Sequence, residues 1–290
     1  MTTSSYPVSI GIIGGSGLYD IDEIEHVETL DLQTPFGPPS GPLTIGRLGE
    51  RYVAFLPRHG ASHQHSPSSL PYRANIWAMK QLGVFWIVAV NAVGSLREAI
   101  APGDFVIPDQ IIDKTTKRPN TLYDRVVTHA SLTHPFDPAL RRVLLEATRA
   151  CDLTVHDGGT YVCMEGPAFS TRAESEMHRQ WGAQLIGMTA MPEARLAREA
   201  EMSYASICLP TDYDVWKVNE ELDISEILAT LKRNIHNVKR VLKEVIPRVP
   251  LDQPHTSDAH DAMRFAIMTK PEAIAAKDRE DFDLVFGKYI

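Results

Sequence analysis

Cysteine is scarce in this 290-residue chain, with Cys151, Cys163 and Cys208 its only three. An odd number, widely spaced and without CxxC pairs, argues against a disulfide framework and a zinc ribbon and fits a reducing compartment. Long apolar runs are missing too. No stretch reaches the roughly 18 uninterrupted apolar residues of a spanning helix, so no membrane partner is expected. The opening Met-Thr-Thr-Ser-Ser-Tyr-Pro has neither the basic stretch nor the apolar core of a signal peptide, and a cytoplasmic location is expected. Positive charge is also in deficit. A formal net charge of −8 argues against backbone-driven nucleic-acid binding, while leaving room for a small basic pocket. Internal repeats and low-complexity linkers are absent. What remains, 43% hydrophobic and 23% charged residues, is the composition of an ordinary globular protein with a large core.

Short apolar runs alternate with helical periodicity. Strands are expected at Val8 to Ile13, Arg51 to Leu56, Phe85 to Val90, Phe105 to Ile107, Thr160 to Met164, Leu185 to Met188 and Tyr204 to Leu209. Pro71 suits the first turn of a helix stopped by Gly83, and Asp137-Pro138 reads as an N-cap followed by proline at N1. Helices are also expected over Ala173 to Trp181 and Glu193 to Ala200. The longest carries a stripe of Ile224, Ile227, Leu228, Leu231, Ile235, Val238 and Leu242, opened by a capping box of Asp223 and Glu226. The order predicts one α/β domain over residues 1–250 with a parallel or mixed sheet. Residues 251–290 are charged and weakly periodic, and read as a mobile tail or a subunit-packing arm.

Three motifs lie just beyond predicted strands, where α/β sheets bind ligands. Gly14-Gly15-Ser16-Gly17 brings backbone N–H groups and a hydroxyl close enough to hold an anion. A dinucleotide loop would need glycine at position 20, which is Asp20, and no Walker lysine follows. Arg58-His59 offers a planar fork and a second donor for phosphate. His63 and His65 form a His-x-His pair, but no supporting ligands stand nearby in sequence, so no metal is expected. In Thr211-Asp212-Tyr213-Asp214, extended backbone would put both carboxylates on one side. Behind an apolar approach, such a pair suits the 6-amino and N7 edge of a purine, and a carboxyl raised in pKa could protonate N7. A purine reader beside a phosphate reader points to phosphorolysis of a purine nucleoside.

Together these segments resemble the methylthioadenosine phosphorylase branch of the trimeric purine nucleoside phosphorylases. The likeness runs from about Ser9 to Ile246, through Gly11 to Leu18, Thr34 to Ser40, Pro57 to Gly60, Tyr72 to Ala78, Gly94 to Glu98, Glu165 to Glu174, Gly187 to Glu193 and Thr211 to Trp216. It implies a single-domain nucleoside phosphorylase fold, with a central mixed, partly barrel-like sheet flanked by helices, assembled as a homotrimer. It implies phosphate contacts from Ser16, Arg58, His59, Asn91, Ala92 and Thr189. Phe169 and Ser170 would flank the base, Met188 would line the ribosyl part, and Asp212 and Asp214 would be catalytic and read the base. His129 would come from a neighbouring subunit, and no cofactor would be needed beyond phosphate as co-substrate. Ser16 and Asn91 both stand where the family often has Thr. The implied reaction is phosphorolysis of S-methyl-5'-thioadenosine to adenine and the thioribose 1-phosphate. Phosphorolysis of 6-oxopurine nucleosides such as inosine is the alternative, disfavoured because an ionised aspartate repels a 6-oxo oxygen.

Overall fold

Trp86 to Val90 carries no polar side chain, the pattern of a strand covered on both faces. It forms the first half of the ten-residue strand β5 (Trp86–Ser95), the axis of the molecule. The computed structural model describes residues 4–15, 18, 21–217, 224–251 and 257–290. Among these, eleven strands form one mixed sheet. β1 (Val8–Gly14) pairs in parallel with β4 (Arg51–Pro57) on one side and with Trp86–Ala89 of β5 on the other. β2 (Glu25–Leu30) and β3 (Leu43–Leu48) extend β4 as an antiparallel meander. β11 (Ser203–Asp212) runs parallel to β5 over nearly its whole length.

The sheet forks at β5. Beyond β1, the last two residues of β5 pair antiparallel with β10 (Leu185–Gly187), which continues to β9 (Thr160–Cys163) and β7 (Gln110–Asp113). On the other edge, β11 carries β6 (Phe105–Ile107) and then β8 (Val155–Asp157). The single α/β domain with a mixed sheet flanked by helices is therefore present.

Side-chain alternation sends successive β5 residues to opposite faces. Ile87 and Ala89 pack with α1 (Tyr72–Gln81) and α4 (Ala190–Glu199), through Ile76, Trp77, Ala194 and Ala197. Trp86, Val88 and Val90 pack with α2 (Pro138–Ala150) and α5 (Ile224–Arg248), through Leu140, Leu144, Val238 and Leu242. Asp137 caps α2 as its sequence implies, its carboxylate accepting from the Leu140 N–H at 2.8 Å. Pro71 sits one residue earlier than expected, at the N-cap of α1. Asp223 of the expected capping box lies outside the described residues. Thr171 and Glu174 open α3 (Arg172–Gln180) with a reciprocal capping box.

Residues 257–290 differ from a free tail. They include α6 (Ala276–Asp281) and α7 (Asp283–Phe286), and they bury Phe282, Val285 and Phe286 in the α1 side of the core. Phe282 meets Trp77 and Tyr123 edge-on, with ring centroids 5.4 and 5.0 Å apart. The fully buried Glu201 carboxylate accepts from the Met263 N–H, the Lys288 ammonium and the Tyr289 hydroxyl. The apolar groups that anchor this segment are too few and irregularly spaced to register as a period. No described helix is long and apolar enough to cross a membrane.

Candidate active site

β1, β4, β5 and β11 run in parallel, so their C-terminal ends share one edge, and a cavity of about 760 Å³ opens there. Arg58, His59, Asn91, Ala92, Phe169, Met188, Thr189, Asp212 and Asp214 all line it. Ser16 lies outside the described residues, while its neighbours Gly15 and Leu18 line the cavity.

Asp212 ends β11, opposite Gly94 of β5. The backbone does not stay extended to Asp214, whose φ of +52° is left-handed. The pair therefore converges by a turn rather than by strand alternation, and the Asp214 N–H donates to Asp212 Oδ1 at 2.8 Å. The Thr211 hydroxyl donates to Asp212 Oδ2 at 2.7 Å. Gly94 admits this turn, since a Cβ there would stand 3.1 Å from Asp212 Oδ1 and 3.4 Å from the Asp214 Cβ. Burial raises both carboxyls above the usual aspartate range, against the pull of Thr211 and the Asp214 N–H on Asp212 and of Ser175 and Ser170 on Asp214. Asp214 Oδ2 is buried without a hydrogen-bond partner among the described residues.

Arg58 and His59 enter the same cavity just beyond the end of β4. Arg58 is buried, and its Nε and Nη2 grip the fully buried Glu193 at 2.9 and 2.8 Å. Its other donors reach the carbonyls of Val90 at 2.8 Å and Ile13 at 3.2 Å. A guanidinium has five N–H groups, so one on Nη1 remains for a ligand. Burial acts to lower the Arg58 pKa, and Glu193 more than offsets it. His59 directs Nδ1 to the His65 carbonyl at 2.9 Å and stacks on His63. Burial, with Arg58 and His63 nearby, lowers its pKa to about 4. The ring is therefore neutral near pH 7, with Nδ1–H donating and an Nε2 lone pair left over. That lone pair suits a protonated phosphate oxygen, rather than the second donor expected from sequence. Asn91 is fixed between Ser206 and Thr189, donating to the first at 2.6 Å and accepting from the second at 2.9 Å.

Between the two walls lie Met188 and Phe169, the latter half exposed. Gly166, at φ +69°, lets Met188 come close, because a Cβ there would stand 2.6 Å from its sulfur. Ser170 is buried behind Asp214 rather than on the cavity surface. His129 is elsewhere on this chain, in a second cavity of about 510 Å³ beside Glu199, with its N–H on the Ala266 carbonyl at 2.8 Å.

Sequence reasoning missed Glu193, which orients Arg58, and the contribution of α5. Ile227, Leu231 and Ile235 line the cavity, while Val238 and Leu242 of the same stripe lie in the core. The stripe was visible in the sequence, but its change of role halfway along the helix was not.

A profile of the Phosphorylase superfamily matches residues 9–247. The S-methyl-5'-thioadenosine phosphorylase of Chloroflexus aurantiacus is 48% identical over 287 residues, covering 98% of this chain and 99% of that protein. The crystal structure of a methylthioadenosine phosphorylase from an antarctic soil metagenomic library superimposes with a TM-score of 0.92 at 43% identity, covering 96% of this chain and 98% of that one. A variant of the adenosine/methylthioadenosine phosphorylase from Schistosoma mansoni, in complex with methylthioadenosine, gives a TM-score of 0.79 at 38% identity, covering 85% and 93%.

Proposed function

We infer that this chain, a member of the phosphorylase superfamily that is 48% identical to an S-methyl-5'-thioadenosine phosphorylase, cleaves S-methyl-5'-thioadenosine with phosphate. The products are adenine and S-methyl-5-thio-α-D-ribose 1-phosphate, and the enzyme is a pentosyltransferase. The observation that carries this reading is one cavity lined both by the Asp212 and Asp214 carboxyls and by Arg58, His59, Asn91 and Thr189.

In this reading Asp214 and Asp212 take the 6-amino and N7 edge of adenine, against which Phe169 stacks and behind which Ser170 stands. A carboxyl held above its usual pKa can share a proton with N7 as the glycosidic bond breaks, which makes adenine a better leaving group. Met188 lies against the sugar. Phosphate sits below C1′, held by the free Arg58 N–H, His59 Nε2, Thr189, Asn91, the Ala92 backbone and the Gly15 backbone, with Ser16 as the further contact that the resemblance implies. The bond to N9 lengthens first, positive charge builds on the ribosyl ring, and the phosphate oxygen stabilises that charge before bonding to C1′ from the opposite face. Inversion follows from that geometry. Electrostatic stabilisation of this kind is usually the largest catalytic contribution. The reaction needs no cofactor. A neighbouring copy completes the 5′ end with His129 in a homotrimer working in the cytoplasm.

One observation favours a second reading. Because both carboxyls are raised in pKa, one that holds a proton could donate to a 6-oxopurine. Chromatography of products from methylthioadenosine and from inosine, each with and without phosphate, decides between them. Adenine is expected, from methylthioadenosine alone and only with phosphate. Hypoxanthine from inosine would move the specificity to 6-oxopurines, and release without phosphate would make the protein a hydrolase.

A further inference from the structure

Residues 114–117 and 119–120 are exposed or half-exposed, yet Arg118 between them is buried and points inward. Its guanidinium touches neither cavity and lines neither wall. Nη1 donates its two N–H groups to the carbonyls of Met188 and Met191, both at 2.6 Å, and lies 2.9 Å from the Tyr72 hydroxyl oxygen. Nη2 donates to the Glu165 carbonyl at 2.6 Å, and Nε to the Glu165 carboxylate at 3.1 Å. The Tyr72 hydroxyl passes the contact on to the Pro67 carbonyl at 2.9 Å. Glu165 repeats this pattern with the opposite charge. Its carboxylate accepts from the Ser68 hydroxyl and the Thr116 N–H, both at 2.6 Å, and from the Lys117 N–H at 3.2 Å.

The segments joined in this way are those that form the nucleoside half of the cavity. Met188 would lie against the sugar. Met164, Pro167 and Phe169 flank Glu165 in sequence and line the same wall, and Ser66 and Pro67 close it from the side. The phosphate half hangs on other contacts, Arg58 on Glu193 and Thr189 on Asn91.

We propose that Arg118 and Glu165 are positioning residues that set the nucleoside subsite, fixing Met188 and the Phe169 loop relative to the carboxylate pair. The inference rests on the function proposed above. A planar fork that reaches several carbonyls at once is what lysine cannot reproduce. A carboxylate accepting from four groups is what glutamine cannot reproduce, since its amide N–H₂ would face the Thr116 and Lys117 N–H donors. Burial would raise the Glu165 pKa, but the donors from Ser68, Thr116, Lys117 and Arg118 more than offset it and bring it to about 2. The carboxylate is thus ionised throughout the working pH range.

The test compares Glu165→Gln and Arg118→Lys with the unaltered protein, measuring KM for methylthioadenosine and for phosphate separately, with thermal unfolding of each variant. The expected result is a split. KM for methylthioadenosine rises about tenfold or more, the scale of a lost hydrogen bond to a charged group, while KM for phosphate stays within about twofold. Equal rises in both constants would assign the pair to fold maintenance and overturn the proposal, as would unchanged constants in a folded variant. If Arg118→Lys does not fold, Glu165→Gln, at the less buried partner, carries the test. Should the unaltered protein release no adenine, the functional reading fails instead. Calorimetric binding of methylthioadenosine and of phosphate then reads the same split without turnover.

Discussion

Asp212 and Asp214 are held where an ionised carboxylate is poorly solvated, and that has a stability consequence with a definite sign. A carboxyl raised in the folded state stabilises the fold while protonated, below its unfolded pKa, and that contribution is lost as pH rises through the folded pKa. At neutral pH both groups therefore work against the fold. Asp214→Asn is expected to keep or raise the unfolding temperature at pH 7 while kcat/KM for methylthioadenosine falls roughly 10- to 100-fold. Thermal unfolding and steady-state kinetics on one preparation check both halves, and a variant that loses stability and keeps activity would reverse the assignment. His59 has the opposite sign. Its pKa falls from 6.5 to about 4 on folding, so its contribution is present above pH 6.5 and lost as pH falls toward 4. Unfolding temperature measured across that window should drop less steeply for His59→Gln than for the unaltered protein. The slope will not vanish, because burial lowers the pKa of His178 in the same direction. At this scale the sequence supplied residue types and missed geometry. The spacing of Asp212 and Asp214 could not reveal the left-handed turn between them, and Arg118 in a charged loop looks like any surface arginine until its carbonyl partners are known.

Helix α5 shows how one periodic pattern can serve two ends. Leu242 lies in the core and Leu231 on the cavity wall, on the same stripe. The same substitution should therefore act differently at each. Leu242→Ala is expected to cost about 2–5 kcal/mol, the range for an emptied core site, with KM little changed. Leu231→Ala should lose far less stability and raise KM for methylthioadenosine. Urea unfolding and kinetics of the two variants measure this, and equal stability losses would show that Leu231 is core rather than wall. Elements with strong local signals were legible. The Asp137-Pro138 start of α2 and the apolar run of β5 both form where the sequence places them. β2 and β3 were not foreseen, since Glu25, His26 and Glu28 leave β2 largely exposed at the sheet's edge, without the apolar run that marks a buried strand.

At the scale of the whole molecule, the last 34 residues were the hardest to read. Their charge and weak periodicity suggested a mobile tail or a subunit-packing arm, and within this chain Phe282, Val285 and Phe286 fill a space beside Trp77 and Tyr123. Removing residues 257–290 would open that space and leave the buried Glu201 carboxylate without Lys288, Tyr289 and the Met263 N–H. An unpartnered buried charge is strongly destabilising. A chain ending at Pro250 is expected to be insoluble or to unfold well below the full-length protein, as soluble yield and thermal unfolding would record. A truncated chain with unchanged unfolding temperature would return these residues to the role of an appendage. The resemblance carried by the ordered motifs reached the fold and the family, and several of those motifs, such as Gly94 to Glu98 and Thr211 to Trp216, sit at strand ends.

The grip of Arg58 on Glu193 also constrains ancestry. Either residue altered alone strands its partner's charge in the interior, so neither can drift by single steps without passing through a crippled intermediate. The Arg58–Glu193 pair can thus change only as a pair, whereas Phe169, half exposed and tied to no partner charge, carries no such constraint.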